Sequence, residues 1–374
     1  MAENRAIDEQ PRLAAGAGIG RGDPGHEMPR IRFTVGRLLA SIVFVVSVAA
    51  FLYFVLPKLL GLQETWNRIQ RGDLWWFALA AVLEVLSFAS YVWLFRAVFV
   101  RGMSRIRWRE SYQITMASLA ATRLFAAGGA GGIALTAWAL RRSGLGPRTV
   151  AARMIAFLTL LYGVYMATLV IDGLGLYLGV FPGPAPFAIT VVPAIFGAVV
   201  IALFLAMALV PADLERLVAR WTRGAHRGRK LARWLAALPA TAATGVRTAM
   251  ELLRSRDPFL FGAIGWWAFD IGVLWACFHA FGSAPPHAVI VMAYFVGMLG
   301  NMLPLPGGIG GVDGGMIGAF TAFGVDVELS VVAVLAYRAF AFWLPTIPGA
   351  VAYFQLRRTV HRWRSSEVPS PSYT

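Results

Sequence analysis

The sequence predicts an all-α integral membrane protein, with about six transmembrane helices and two Gly/Pro-rich re-entrant hairpins arranged as an inverted repeat. Of its 374 residues, 58% are hydrophobic and only 14% are charged, and the mean hydropathy of +0.64 is too high for a soluble domain. Several apolar runs exceed the ~20 residues that a helix needs to cross a bilayer. Two glycine-rich segments interrupt such runs at matching places in the two halves.

The predicted spans divide the chain into a membrane domain over residues 33–356 and two tails. Residues 1–32 are rich in Gly, Pro and Ala with mixed charge, which predicts a disordered cytoplasmic tail. Residues 357–374 form the second cytoplasmic tail. The halves of the membrane domain are about 33–180 and 187–356. The six spans are Phe33–Leu56, Leu74–Val100, Met154–Val180, Phe187–Val210, Phe259–Phe281 and Leu329–Leu356.

The basic residues indicate how the chain crosses the membrane. The formal net charge is +15, and 29 of the 34 basic residues fall in five blocks, separated by connections with few or none. Because Lys and Arg concentrate in cytoplasmic loops, the alternation places both termini in the cytoplasm and argues against nucleic acid as a partner. The blocks are Arg5–Arg37, Arg96–Arg109, Arg141–Arg153, Arg216–Arg256 and Arg357–Arg364.

Two segments are predicted to enter and leave the membrane on the same side. Ser111–Leu140 lies between two cytoplasmic blocks, so a single crossing would place one block outside. Folded at Ala126–Gly132, it gives two arms of ~14 residues, each about 20 Å long as a helix. Ala288–Phe323 has the same build around Pro304–Gly311 but opens on the outer side. The alternative, a pair of short complete helices at each place, stays open.

The two halves repeat one order of polar residues: a span with an acid, a glycine hairpin, and a span with an arginine. The order occurs in opposite membrane orientations, as in the inverted repeats from which many secondary transporters build a central site. The matched positions are Gly128–Gly132 with Gly307–Gly311, Arg153 with Arg338, and Glu84 with Asp270, at offsets of 179, 185 and 186 residues.

Three charged residues are predicted to lie where charge is expensive in a membrane. Asp313 follows the broken second hairpin, where it either binds a ligand or a proton or caps the next helix. Arg338 lies about ten residues inside the last span, so it needs an anion, which is either a protein acid such as Asp313 or a lipid phosphate. Arg123 on the first hairpin is a similar candidate.

The remaining candidates are two acids and the hairpin glycines. Glu84 and Asp270 lie near the middle of their spans, where proton coupling and pairing with an arginine are both consistent with the sequence. We find no metal-ligand cluster and no phosphate-binding Gly-x-x-x-x-Gly-Lys motif, so no metal or cofactor is predicted. The glycines expected to allow close approach of a substrate are Gly128, Gly129, Gly307, Gly308 and Gly310.

The long basic connection, residues 211–258, is the one sizeable segment predicted outside the membrane. Apolar residues recur at helical spacing beside arginines over 214–221 and 231–238. This pattern favours basic amphipathic helices on an anionic inner leaflet. Docking of a cytosolic partner such as a lipid-biosynthesis enzyme is the alternative.

Three motifs together resemble a known family. They are the Pro-x-Pro-Gly-Gly-x-Gly-x-x-acid segment at Pro304–Asp313, the pair Tyr337-Arg338, and Arg141–Leu145 after the first glycine motif. They are similar to the lysylphosphatidylglycerol synthase transmembrane, or flippase-like, family, over about Arg37–Leu356. The chain departs from the family pattern twice. The family usually has Glu where Asp313 stands, and Ala126-Ala127 and Gly132-Ile133 replace a proline and an acid.

The resemblance implies a stand-alone protein, without an aminoacyl-transferase domain, that translocates a polar-headed lipid across the bacterial plasma membrane. We expect alternating exposure of a midplane site to bind an anionic phospholipid headgroup, driven by a gradient or a partner. The alternatives are an intramembrane lipid-modifying transferase and a non-transporting subunit that recruits lipid-biosynthesis enzymes. The expected substrate-binding residues are Arg338, Arg123, Asp313, Gly307, Gly308, Gly310, Gly128, Gly129 and Tyr337, and the expected proton carriers are Asp313, Glu84 and Asp270.

Overall fold

The computed structural model describes residues 72–101, 105–124, 130–209, 229–302, 308 and 310–365. All regular secondary structure in these ranges is helical. The α-helices are α1 Leu74–Phe95, α2 Trp108–Leu124, α3 Ala130–Arg142, α4 Pro147–Tyr177, α5 Phe187–Ala208, α6 Arg229–Arg254, α7 Gly262–Phe281, α8 His287–Met298, α9 Gly311–Ala322, α10 Val327–Arg338 and α11 Leu344–Ser365. Short helical turns add Pro258–Phe261 and Leu299–Met302 (3₁₀) and Arg96–Val100 and Ala339–Trp343 (π).

Within the described residues, five helical segments are long and apolar enough to cross a membrane, which makes this a multi-pass membrane protein. They correspond to the last five predicted spans; the first prediction, Phe33–Leu56, lies outside the described residues. The α4 span begins seven residues before the predicted start, because Pro147 occupies the first turn, where its missing N–H is harmless. The segments are Leu74–Val100, Pro147–Tyr177, Phe187–Ala208, Pro258–Phe281 and Val327–Trp363.

Helices α1 and α7 cross at the centre of the bundle and run antiparallel. Asp73 N donates to Ala280 O at 3.1 Å near one end, and Ser87 Oγ donates to Trp266 O at 2.9 Å further along. A side chain at Gly262 would lie 2.2 Å from the Ser90 carbonyl oxygen, so the close contact requires glycine. The helices that the sequence matches as repeat equivalents therefore pack in opposite directions.

The two glycine-rich segments each lie between a pair of short packed helices. Helices α2 and α3 have 17 and 13 residues, and α8 and α9 have 12 each. At 1.5 Å per residue these are roughly 18–26 Å long, which is less than the ~30 Å thickness of the bilayer core. The lengths fit the predicted hairpins, and the side on which each opens stays a prediction. Helix α2 also packs along α11, where Gly349 lies against Ala120 and Met116.

Helices α5 and α6 both pack against α4. Part of the basic connection, residues 211–228, lies outside the described residues, while the predicted apolar positions at 231–238 fall within α6. The second half of α6 packs into the bundle through Ala243, Val246, Ala249 and Leu252, and Gly245 lies against Ile155 of α4. This half of α6 is thus held against α4, so a membrane-surface helix is a prediction only for the residues before it.

Candidate functional site

A cavity of about 450 Å³ lies between the two short-helix pairs. Helices α2 and α3 form one wall, the end of α8 and Gly308 contribute to another, and α1, α4, α7 and α10 complete the lining. This volume is within the range of about 300–1,000 Å³ that small-molecule sites span. Its polar lining includes Arg123, Asp270, Tyr294, Asn301, Tyr337 and Arg338, and its aromatic lining includes Tyr91, Phe95, Phe157, Trp266, Trp267 and Phe342.

Arg338 and Asp313 form a buried ion pair at one side of the cavity. Nε of Arg338 contacts Oδ1 of Asp313, and the two residues are 9% and 3% exposed. Asp313 Oδ2 also accepts the backbone N–H of Gly310 at 2.9 Å. The carboxylate lies in the first turn of α9, where the positive end of the helix dipole stabilises it. Asp313 therefore closes the helix terminus and neutralises the arginine.

A π-helical turn after Arg338 supplies carbonyl acceptors for Arg123. Within the π turn Ala339–Trp343, the backbone bonds shift from the regular α pattern, as at many functional sites. Arg123 Nη2 donates to Ala341 O at 2.8 Å and Nη1 to Phe342 O at 3.3 Å. The other described π turn, Arg96–Val100, has the same relation to Arg153, whose Nη1 donates to Phe99 O at 2.8 Å.

The two acids that the sequence matches between the halves meet at the α1–α7 crossing. Asp270 lines the cavity, and Glu84 is close enough to Asp270 for the two carboxyl groups to interact electrostatically. Asp270 Oδ2 accepts the hydroxyls of Tyr294 and, at 2.8 Å, Tyr337. Glu84 Oε2 is buried and receives no hydrogen bond from a described donor. A proton shared by the two carboxyls would satisfy this oxygen.

Two glycines of the second predicted motif have positive φ and lie beside the ion pair. Gly308 has φ +67, and a side chain there would lie 2.3 Å from Asn301 Oδ1. Gly310 has φ +83 and carries the N–H that Asp313 accepts. Both conformations favour glycine. The other predicted glycines, Gly128, Gly129 and Gly307, lie outside the described residues.

Of the predicted site residues, the structure brings together Arg123, Arg338, Asp313, Tyr337, Asp270 and Glu84, with Gly308 and Gly310 beside them. The sequence reasoning missed Tyr294, which is fully buried and donates to Asp270. It also missed the cavity-lining hydroxyls of Thr115, Ser118 and Thr136. The sequence does carry one signal for these three hydroxyls, because hydroxyl residues recur at helical spacing in a segment that is flanked by glycines.

Comparisons with known proteins identify a membrane-protein family. The sequence profile of the family described as "Lysylphosphatidylglycerol synthase TM region" matches residues 38–349. A "UPF0104 membrane protein" of Methanothermobacter thermautotrophicus is 25% identical over 333 residues, which cover 84% of this chain and 95% of that protein. Another match of the same description and organism is 34% identical over 104 residues, which cover 27% of this chain and 30% of that protein. The profile matches most of the chain, which therefore belongs to the lysylphosphatidylglycerol synthase transmembrane-region family.

Proposed function

We propose that this protein moves an anionic, polar-headed phospholipid between the leaflets of the plasma membrane by alternating access. The observation that carries the proposal is the cavity between the two short-helix pairs, which the buried Arg338 and the partly buried Arg123 line. A cavity of about 450 Å³ has room for a headgroup, while acyl chains stay in the bilayer. Membership of a lipid-related membrane family supports the same class of function.

The two arginines suit a phosphate group. A guanidinium is planar and presents five N–H donors, which match phosphate oxygens in a bidentate way. Arg123 is oriented by two backbone carbonyls, and its guanidinium also lies over the Phe342 ring at 5.6 Å. Arg338 lies over the same ring at 4.9 Å. Both cations are thus positioned on one cavity wall before a ligand arrives, which lowers the entropic cost of binding.

The buried charges suggest how a proton could be coupled to the lipid. The central cluster holds two cations, Arg123 and Arg338, and three acids, Asp313, Asp270 and Glu84. One proton shared by Glu84 and Asp270 makes the cluster neutral, and a buried cluster is most stable when neutral. A phosphate anion adds one negative charge, which uptake of a second proton would neutralise. We therefore expect co-transport of one anionic lipid and one proton.

The antiparallel crossing of α1 and α7 supports alternating access about the centre of the molecule. In many transporters, repeat-equivalent helices run in opposite directions, and this arrangement gives an inward-open and an outward-open state that mirror each other. Glu84 and Asp270 are the repeat-equivalent pair that meets at this crossing. In this proposal the short helix pairs are re-entrant hairpins that open from opposite sides, with both termini in the cytoplasm.

Reconstitution in liposomes tests the function. The purified protein should move an anionic phospholipid with a fluorescent acyl chain from the inner to the outer leaflet, where dithionite quenches it. Mass spectrometry should show the lipid unchanged. Arg338→Lys keeps the charge but loses the planar fork, so we expect transfer to slow about tenfold or more. Arg254→Lys, at the exposed end of α6, is the matched control. A lipid of new mass would establish a transferase instead.

A second set of variants separates a substrate site from a structural ion pair. Asp313→Asn should purify at near-normal yield yet lose transport. If the pair only supports the fold, each single variant should lower yield and thermal stability, because it leaves a buried charge unpaired. The double variant Arg338→Met/Asp313→Leu would then recover both stability and transport. Recovery of transport in this double variant would refute the role of Arg338 and Asp313 in the site.

A further inference from the structure

The α2–α3 wall of the cavity is rich in hydroxyl groups that the proposed phosphate site does not use. Thr115, Ser118 and Thr122 follow one another at helical spacing on α2, and Thr136 of α3 faces them. Thr136 Oγ1 donates to Ser118 Oγ at 2.8 Å. This bond uses a lone pair of Ser118 and leaves the Ser118 hydrogen to be donated. Hydrogen-bonded hydroxyls polarise one another, so the Ser118 hydroxyl becomes a better donor.

Thr115 differs from other helical threonines of this protein. A helical threonine commonly donates to the carbonyl four residues earlier, and six described threonines do so. Thr115 is 2% exposed and lines the cavity, yet its Oγ1 has no hydrogen-bond partner among the described residues. A buried hydroxyl without a partner destabilises the protein, and a bond from a ligand hydroxyl would remove that cost. The six threonines are Thr122, Thr168, Thr190, Thr248, Thr321 and Thr346.

The cavity offers little to an ammonium group. Among the described residues that line it, the carboxylate is Asp270. Its Oδ2 already accepts the hydroxyls of Tyr294 and Tyr337. A headgroup amine would also lie close to Arg123 and Arg338, and like charges in one buried site repel each other. The lining thus combines two cations for a phosphate with hydroxyls for further polar groups.

We infer that the cavity selects a phospholipid with a polyol headgroup, which carries a phosphodiester and free hydroxyls but no amine, and that Thr115 and Ser118 determine this specificity. The inference rests on the proposed lipid transport and names its substrate class. The phosphate binds at Arg123 and Arg338, and the headgroup hydroxyls bond to Thr115 Oγ1 and Ser118 Oγ. Thr115 and Ser118 are one helical turn apart, so two hydroxyls on neighbouring carbons can reach both.

Three lipids with the same fluorescent acyl chain test the inference in proteoliposomes. Phosphatidylglycerol carries a phosphate and hydroxyls, phosphatidic acid carries the phosphate alone, and phosphatidylethanolamine carries an amine. The wild-type protein should move phosphatidylglycerol fastest and phosphatidylethanolamine slowest. Thr115→Val has nearly the same shape but no hydroxyl, and loss of one hydrogen bond should slow phosphatidylglycerol about 2- to 10-fold. Phosphatidic acid should move at an unchanged rate.

Two further variants serve as controls for the effect of Thr115→Val. Thr115→Ser keeps the hydroxyl and should keep the preference. Thr122→Val removes a hydroxyl that already donates to Ser118 O, so it should not change the ratio of the phosphatidylglycerol and phosphatidic acid rates. Equal wild-type rates for phosphatidylethanolamine and phosphatidylglycerol, or an equal effect of Thr115→Val on all three lipids, would overturn the inference and leave lipid transport standing. Transfer of none of the three lipids would overturn both.

Discussion

Replacing Tyr337 by Phe measures the charge on Asp270. Tyr337 and Tyr294 are 2% and 0% exposed, and both donate to Asp270 Oδ2. Phe keeps the ring and its packing and removes only the donor. A hydrogen bond to a charged group contributes about 1.5–3 kcal/mol, and one between neutral groups about 0.5–1.5 kcal/mol. If Asp270 is ionised in the resting protein, Tyr337→Phe should lower the free energy of unfolding by about 1.5–3 kcal/mol.

The same change in an Asp270→Asn background provides the comparison. The amide oxygen still accepts the hydroxyl but carries no charge, so the loss should fall to about 0.5–1.5 kcal/mol. The two losses should therefore differ by about 1 kcal/mol, which a double-mutant cycle isolates. Denaturant unfolding of the purified protein in mixed micelles, followed by tryptophan fluorescence, gives each value. Tyr177→Phe, at a side chain that is 49% exposed, should change stability by less than about 0.5 kcal/mol.

Equal losses in the two backgrounds would refute the reasoning. They would mean that Asp270 is already neutral, so that its two phenols bond to a protonated carboxyl. The resting cluster would then hold its negative charge on Glu84 and Asp313. The coupling of one further proton to one anionic lipid would need a different acceptor.

The remaining predictions concern topology and the second glycine segment. In a background without Cys277, Ser283→Cys should react with an impermeant thiol reagent from outside and Thr149→Cys should not; both positions are exposed. Outside labelling of Thr149→Cys would contradict the first hairpin and with it the inverted repeat. Gly308→Ala should lower the free energy of unfolding by about 1–2 kcal/mol or more, because φ is +67 and the Asn301 side chain must move. Gly314→Ala has open space around the new methyl group and should be neutral or stabilising in the same unfolding assay.

The sequence allowed the membrane class and the central acids to be predicted for separate physical reasons. Hydropathy located the spans, because a bilayer demands long uninterrupted apolar runs. The repeat offset brought Glu84 opposite Asp270, and they meet in the structure because α1 and α7 pack antiparallel along their length, which places matched positions near the middle of the two helices side by side. The pairing of Arg338 with Asp313 was one of two stated options. It follows from the high cost of an isolated buried charge.

Other parts of the site had no signal of that kind. The π turn at Ala339–Trp343 has an ordinary apolar sequence and packs against α1 and α7. No pattern of residue types in this stretch marks its hydrogen-bond shift. Tyr294 lies in an apolar helix, and its partner Asp270 is 24 residues away. No local periodicity links two such positions. The hydroxyls of Thr115 and Ser118 acquire meaning only from the cavity that they line.

The π turn also allows the last span to tolerate deletion of a single residue, a change that helices rarely accept. A π turn closes its bonds over five residues instead of four, so the chain carries a surplus residue there. Deleting one residue within Ala339–Trp343 would convert the π turn into regular α-helix. The residues of α11 that face α2 would then keep their positions. In the regular α-helix the Ala341 and Phe342 carbonyls would accept hydrogen bonds from backbone N–H groups of the same helix, and they would no longer accept from Arg123. Deletion of one residue at this point would therefore preserve the fold but abolish the function of the site. We expect a relative that is shorter by one residue here to lack an arginine at the position equivalent to 123.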